Sequence, residues 1–268
     1  MNVEEKFENL KKNLRELGNV AIAFSGGVDS TFLLKVAHDV LGDNAIAITA
    51  ISEFFPAHEI EETKIFCRRE KVRQIILEEK ILDVENISDN PPDRCYLCKK
   101  NLFSKILKLA EENKISHVAE GSNVDDTGDY RPGMKAIKEL QIKSPLLSAG
   151  ICKSEIRTLS KKLNLPTWDK PSFACLASRF VHGEKITAQK LSRVERAEDF
   201  LREKKFKQFR VRVHENLARI EILPEDFEKI IRSEIRGEIV KKFRDAGFDY
   251  VSLDLQGYRT GSMNPGAK

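Results

Sequence analysis

Three groups of residues in this chain have types and spacing suited to chemistry. The first, Ser25-Gly26-Gly27-Val28-Asp29-Ser30, joins an apolar run, Val20–Phe24, to a segment with helical pattern, Thr31–Ala37. Adjacent glycines let the backbone approach an anion closely, and the hydroxyls of Ser25 and Ser30 can donate to phosphate oxygens. The helix that begins there aims its free N–H groups and positive dipole end at the same spot. This is a phosphate cradle, and its expected ligand is a nucleotide. A plain Gly-Gly turn is the competing reading, but the order strand, loop, helix favours the cradle.

The second and third groups are cysteines. Cys95-Tyr96-Leu97-Cys98 follows Asn90–Arg94 and opens a helix running through Lys99, Leu102, Ile106 and Leu109. A helix N-terminus favours thiolates and sets the two side by side. Cys175 lies farther on, within Pro171-Ser172-Phe173-Ala174-Cys175-Leu176-Ala177-Ser178-Arg179. Three thiolates hold zinc if a histidine joins them, though none neighbours either segment closely. They can instead hold three irons of a 4Fe-4S cluster and leave the fourth open to a ligand such as sulfide. A thioredoxin-like pair fits poorly, because this CxxC does not follow the first strand of a suitable βαβ unit. Spacing alone also allows three unligated thiols. Cys67 and Cys152 read as ordinary buried or half-buried residues.

The elements that must position these groups are written in the hydrophobic pattern. Val3, Phe7, Leu10, Leu14 and Leu17 fall on one helical face that Gly18 ends, and this helix is expected on the outside of a sheet. Strand-like runs recur at Val20–Phe24, Ala45–Ala50, Val72–Leu77 and His117–Glu120, with helical pattern between them. Continuously apolar strands alternating with helices predict an α/β fold, a parallel sheet with helices on both faces. The cradle then sits at the carboxyl end of the first strand, where open α/β sheets bind ligands. Pro166–Pro171 breaks a helix over about Lys153–Leu163, which puts the domain boundary at 165/166. Residues 1–165 are expected to form a nucleotide-binding domain and 166–268 a smaller domain. The latter reads as α+β with antiparallel pairing: a helix near Thr187–Lys204, strands Phe209–Val213 and Ala218–Leu223 joined by a short hairpin corner, helical pattern through Asp245 and a final strand Tyr250–Leu253. The tail Gly261–Lys268 is expected to be disordered.

At 268 residues and 41% hydrophobic content the chain can bury a core of one large or two modest domains. A net charge of +4 suits an anionic substrate but lacks the clustered basic face of a dedicated nucleic-acid binder. No apolar stretch approaches a membrane span, and Asn2–Lys6 is too acidic for a leader, so a cytoplasmic protein is expected. Five cysteines, an odd number, then favour metal or catalytic roles over disulfides.

SGGVDS resembles the pyrophosphate-loop (PP-loop) signature of the ATP pyrophosphatases, which lacks the lysine of a Walker loop. Members split ATP between the α and β phosphates and adenylate an oxygen that a nucleophile then displaces. Together with Arg94–Lys99, the run Gly121–Gly133 (GSNVDDTGDYRPG), Pro166–Arg179 (PTWDKPSFACLASR) and Arg210–Val213, the chain resembles the LarE family through most of its length. That family comprises ATP-dependent sulfur transferases in the biosynthesis of the nickel-pincer nucleotide cofactor. The resemblance implies adenylation of the carboxylates of pyridinium-3,5-biscarboxylic acid mononucleotide and their conversion to thiocarboxylates. One branch sacrifices the sulfur of a single cysteine, matched here by Cys175; another carries three cysteines and a cluster. With Cys95 and Cys98 present, this sequence resembles the second branch, and Cys175 is a cluster ligand first and a sacrificial donor as the fallback.

The same resemblance implies ATP contacts from Ser25, Gly26, Gly27, Asp29, Ser30, Gly121, Asn123 and Asp125, with Asp29 also catalytic. Asp29, Asp125, Asp126 and Asp129 are the candidates for positioning Mg2+. Arg210 and Arg212 alternate on one strand and so share a face, suited to clamping a phosphate, although a solvated basic pair is the default for such residues. Arg179 is a candidate for the phosphate or the adenylate. Glu198 and Glu221 match acidic family positions only loosely and carry no assignment. A sulfide or persulfide donor and a homo-oligomer are also implied. The rivals are a tRNA thiolation enzyme of the superfamily, a PP-loop amide ligase using ammonia, and a non-catalytic nucleotide-binding redox sensor.

Overall fold

The computed structural model describes residues 1–128, 132–171, 174–259 and 262–263. The chain divides into two compact units, one of Met1–Ile81 with Asp93–Phe173, the other of Leu82–Pro92 with Ala174–Lys268. Residues 166–171 thus belong to the first unit, and a short segment from the middle of the chain belongs to the second. Among the described residues no helix is long and apolar enough to cross a membrane.

The first unit opens with α1 (Val3–Leu17). Asn2 Oδ1 accepts the Glu5 N–H and the Glu5 carboxylate accepts the Asn2 N–H, each at 2.9 Å, while Gly18 (φ 72°) closes the other end. There follow β1 (Val20–Ala23), α2 (Val28–Leu41), β2 (Ala45–Ile51), α3 (Ala57–Glu70), β3 (Gln74–Glu78), α4 (Arg94–Glu112), β4 (Val118–Ala119), α5 (Pro132–Glu139), α6 (Pro145–Ser148) and α7 (Lys153–Lys162). The strands run in the order β3-β2-β1-β4 and every pairing is parallel. Alternate residues feed two cores, as the period of a strand requires. Val20, Ile22, Ala45 and Ala47 join Leu33 and Leu34 of α2, Leu10 and Leu14 of α1, and Ile156 and Leu159 of α7. Ala21, Ile46 and Ile48 join Phe103, Ile106 and Ala110 of α4 and Ile137 of α5. The parallel sheet covered by helices on both faces is therefore as expected, and α1 packs against α2 and α6.

In the second unit, α8 (Ala188–Glu203) is N-capped by Thr187, followed by β5 (Phe209–His214), β6 (Leu217–Ile222), α9 (Phe227–Ile231), α10 (Ser233–Ala246) and β7 (Tyr250–Leu253). β5 and β6 form the expected antiparallel hairpin, with Glu215 (φ 55°) in its turn. β7, however, pairs parallel with β6, so the sheet is mixed rather than antiparallel throughout. The reason is the connection: a chain that passes through α9 and α10 before rejoining the sheet returns in the same direction. Phe209, Val211 and Val213 share the buried apolar face with Ala218, Ile220 and Ile222, and Leu191, Val194 and Leu201 of α8 are buried in the same unit. The segment 82–92 is tied in by Asn90, whose side chain donates to the Val181 carbonyl at 2.6 Å and whose carbonyl accepts from Gly183 at 2.9 Å. Of the tail expected to be disordered, only Ser262 and Met263 lie within the described residues.

Candidate active site

The PP-loop is shaped by its glycines. Gly26 has φ 70°, and a Cβ there would lie 2.9 Å from Thr63 Cγ2, so glycine answers both the backbone and the space. Gly27 N-caps α2, leaving the N–H groups of Val28, Asp29 and Ser30 in a first turn where no carbonyl four residues back within the helix can accept them. Ser25 Oγ and Ser30 Oγ lie 3.1 Å apart, and Ser30 Oγ also donates to the Gly27 carbonyl at 3.3 Å.

Because β1 lies between β2 and β4, the chain leaves β1 in one direction and the β4 loop returns on the other side, a topological switch point. The loop Gly121–Asp126 therefore meets the PP-loop. A Cβ on Gly121 would sit 3.0 Å from Ser30 N and 3.1 Å from Asp29 Cβ. Asn123 Nδ2 donates to Asp29 Oδ1 at 3.5 Å, Asn123 Oδ1 accepts the Asp125 N–H at 3.0 Å, and Asp126 accepts the Asn123 N–H at 2.9 Å. Glu120 pins the start of the loop by accepting from Ser122 at 2.7 Å and Ser144 at 2.6 Å. Ser25, Gly26, Gly27, Asp29, Ser30, Gly121, Asn123 and Asp125 are thus gathered in one place. Asp129 lies outside the described residues.

Lys153, the first residue of α7, joins this group although the sequence reading passed it over. Its ammonium contacts Asp29 Oδ2 at 2.5 Å and its N–H donates to Asp125 Oδ2 at 2.8 Å. Burial pushes the Asp29 carboxyl above its usual value and the Lys153 charge opposes that rise. A raised carboxylate favours the folded state below its folded value and loses that advantage as pH rises through it. Asp29 and Asp125, both tied to Lys153, stand near the first-turn N–H groups of α2, where carboxylates would face Mg2+ carried on phosphate. Lys153→Met removes the opposing charge, so the acidic limb of the pH dependence of ATP binding should move to higher pH. An unmoved limb in calorimetric titrations would show that Lys153 does not control Asp29.

The second unit carries a different cluster. Arg210 and Arg212 do share a face, but they are 3% and 5% exposed, not a solvated basic pair. Arg212 Nε donates to Glu221 at 3.0 Å, while Nη1 reaches the Ser178 carbonyl and Nη2 the Ser262 hydroxyl, both at 2.9 Å. Arg179, fully buried, makes a two-pronged pair with Glu198 at 2.9 and 2.7 Å. Its third nitrogen serves the Ala174 and Cys175 carbonyls at 2.5 and 2.9 Å, so Arg179 holds the chain at Cys175. Glu198 also accepts the Val211 N–H, within the edge strand β5, at 2.9 Å. Burial and the charge of Arg179 push the Arg210 guanidinium down to about 10, so it stays protonated at neutral pH. Among the described residues of this cluster, buried Arg179, Arg210 and Arg212 lie with buried Glu198 and Glu221, and Glu221 also pairs with Arg219 at 3.3 Å.

Glu198 and Glu221, set aside from sequence, are therefore central. The signal for Glu198 was its place among Leu191, Val194 and Leu201 on the apolar stripe of α8, where a lone carboxylate needs a partner.

Cys95 is exposed and Cys98 half-buried at the start of α4, three residues apart and so on one helix face. Arg94, itself buried, points Nη2 towards Cys95 Sγ at 3.9 Å. Cys175 is half-buried in the second unit. Among the described residues no three His, Cys, Asp or Glu side chains are gathered as a metal site. Cys67 is buried as expected, and burial pushes its thiol up to about 12, which makes it inert. Cys152 is the N-cap of α7.

No family profile matches the chain. An uncharacterised protein of Synechocystis is 44% identical over 98% of both chains. The pyridinium-3,5-bisthiocarboxylic acid mononucleotide synthase of Lactiplantibacillus plantarum is 37% identical, across 94% of this chain and 91% of its own. A component of the glutamine-hydrolysing GMP synthase from Thermoplasma volcanium is 24% identical across 76% of this chain and 70% of its own, which agrees with a PP-loop enzyme. With a phosphate cradle at the switch point of a parallel sheet and relatedness that runs through both units, the chain belongs to the LarE family of ATP-dependent enzymes.

Proposed function

We propose that this protein is a sulfur transferase that adenylates the carboxylates of pyridinium-3,5-biscarboxylic acid mononucleotide and converts them to thiocarboxylates. The observation that carries the reading is the 37% identity to a synthase named for the bisthiocarboxylic product, which extends over both units. A substrate carboxylate oxygen attacks the α-phosphorus of ATP, and the bond to pyrophosphate breaks with its electron pair leaving on pyrophosphate. The first-turn N–H groups of α2 and the Ser25 and Ser30 hydroxyls receive that leaving group. Asp29, Asp125 and Asp126 are the residues that would position Mg2+, which would offset the charge of that leaving group. A sulfur nucleophile then attacks the acyl carbon and AMP departs. The arginine cluster of Arg210 and Arg212 is the holder of the substrate phosphate in this reading, with Arg179 fixing the Cys175 segment.

The sulfur carrier in this reading would be a 4Fe-4S cluster with Cys95, Cys98 and Cys175 as the residues that would hold it, and its open iron would supply a site for sulfide, either free or released from a persulfide donor by a reducing thiol. Cysteines outside disulfides and an ATP-dependent reaction fit a cytoplasmic enzyme, and a homo-oligomer assembled through the second unit is part of the same reading. The test is iron and acid-labile sulfide content with the visible spectrum after anaerobic purification, for wild type and Cys98→Ser. About four irons per chain and a broad brown absorption, both lost in the variant, are expected. A colourless wild type after reconstitution overturns the cluster, and a Cys175 mass loss of one hydrogen sulfide after turnover then identifies the sacrificial route. Product mass tests the reaction itself: exchange of oxygen for sulfur supports it, whereas an amide product makes the protein a ligase.

A further inference from the structure

A Walker loop carries its own lysine; this loop does not, yet a lysine reaches it from 144 positions along the chain. Lys170 Nζ donates to the Gly26 carbonyl at 3.0 Å and to Glu62 Oε2 of α3 at 2.6 Å, and its side chain is 16% exposed. Lys170 is itself held. Arg157 of α7 donates to the Trp168 carbonyl at 2.7 Å and to the Lys170 carbonyl at 2.8 Å. The ammonium therefore arrives from a braced strap, not from a loose surface chain.

In a trans peptide the carbonyl and the following N–H point in opposite directions. Fixing the Gly26 carbonyl on the Lys170 side thus turns the Gly27 N–H to the other side, along with the first-turn N–H groups of α2. Gly26 has no Cβ and a left-handed φ of 70°, so little in its own chemistry resists a flip of that peptide. A flip would present a carbonyl oxygen to phosphate in place of a donor. The side held by Lys170 is unfit for an anion, because the Glu62 carboxylate stands there.

The geometry points to Lys170 as the positioning residue of the PP-loop, an ammonium that locks the Gly26–Gly27 peptide in its anion-binding orientation without touching the anion. This inference rests on the reading of residues 25–30 as the phosphate cradle. Lys170→Met should weaken binding of Mg2+-pyrophosphate about tenfold, the scale of one hydrogen bond to a charged group, and leave AMP binding unchanged. Lys170→Arg, which keeps a donor, should restore most of it. Glu62→Gln, which loosens the ammonium, should weaken pyrophosphate binding in the same direction.

Calorimetric titration of the full chain with pyrophosphate and, separately, AMP reads all of these. Unchanged pyrophosphate binding in Lys170→Met overturns the inference. So does equal loss of AMP binding, the mark of general damage. Tighter pyrophosphate binding in Glu62→Gln also overturns it, since a freed ammonium would then be a direct phosphate ligand. Failure of the wild type itself to bind pyrophosphate would bring down the cradle reading and the inference with it, and is told apart from the other outcomes by the wild-type titration alone.

Discussion

Glu198→Ala should destabilise the second unit by about 3–5 kcal/mol, the usual cost of removing one partner of a buried ion pair. The carboxylate takes two donors from Arg179 and one from the Val211 N–H, at 2.7–2.9 Å, and is 2% exposed. Its loss takes away the carboxylate that accepts two donors from buried Arg179. Hydrogen exchange localises the effect: amides of β5 and β6 should exchange faster, while those of β1 and β2 in the first unit hold their protection. Equal protection in wild type and variant would mean that the pair is dispensable.

The same residue predicts a pH dependence. Burial pushes the Glu198 carboxyl up, but Arg179, Arg210 and the Val211 N–H together hold it below the ordinary value. The unfolded chain therefore takes up the proton first as pH falls. The stabilisation is complete above the ordinary carboxylate range and is lost as pH drops through the lower folded value. Acid should loosen the second unit of the wild type, and Glu198→Gln should flatten that dependence while lowering stability at neutral pH.

Gly121→Val should reduce ATP affinity about a hundredfold, comparable with loss of one preorganised anion donor. Even a single Cβ at Gly121 meets Ser30 N at 3.0 Å and the Asp29 main-chain carbon at 3.2 Å. Ser30 N–H belongs to the first turn of α2, where it is free to face phosphate, and the neighbouring atoms are backbone that cannot swing aside. A branched side chain must therefore either cover the donor or push β4 from α2. Gly150→Ala, at φ 71° but with open space around it, is the control for glycine loss as such. It should cost stability without affecting ATP titration, whereas unaltered ATP binding in Gly121→Val would detach this loop from the nucleotide site.

What could be read from the chain alone was local. SGGVDS was legible as a loop between a strand and a helix because it is built from consecutive backbone groups. The parallel sheet was equally legible, because strands buried on both faces are apolar for most of their length, as β2 is from Ala45 to Ile48. The α8 helix and the β5–β6 hairpin also came through, since periodicity and a short corner mark them.

What tertiary structure alone decided depends on residues far apart in sequence. Residues 82–92 pack with the second unit through Asn90 and its partners Val181 and Gly183, a pairing no local pattern encodes. The direction of β7 followed from the helices before it. Alternation put Arg210 and Arg212 on one face suited to a phosphate, with a solvated pair as the default, but not what covers that face; at Arg212 it is Glu221 from the neighbouring strand and Ser262 from the tail. Lys153 and Lys170 have no signature as lysines, since a long cation can reach any carboxylate or carbonyl the fold brings near. A charge declares its role only when burial forces it to find a partner, and burial is a property of the assembled fold.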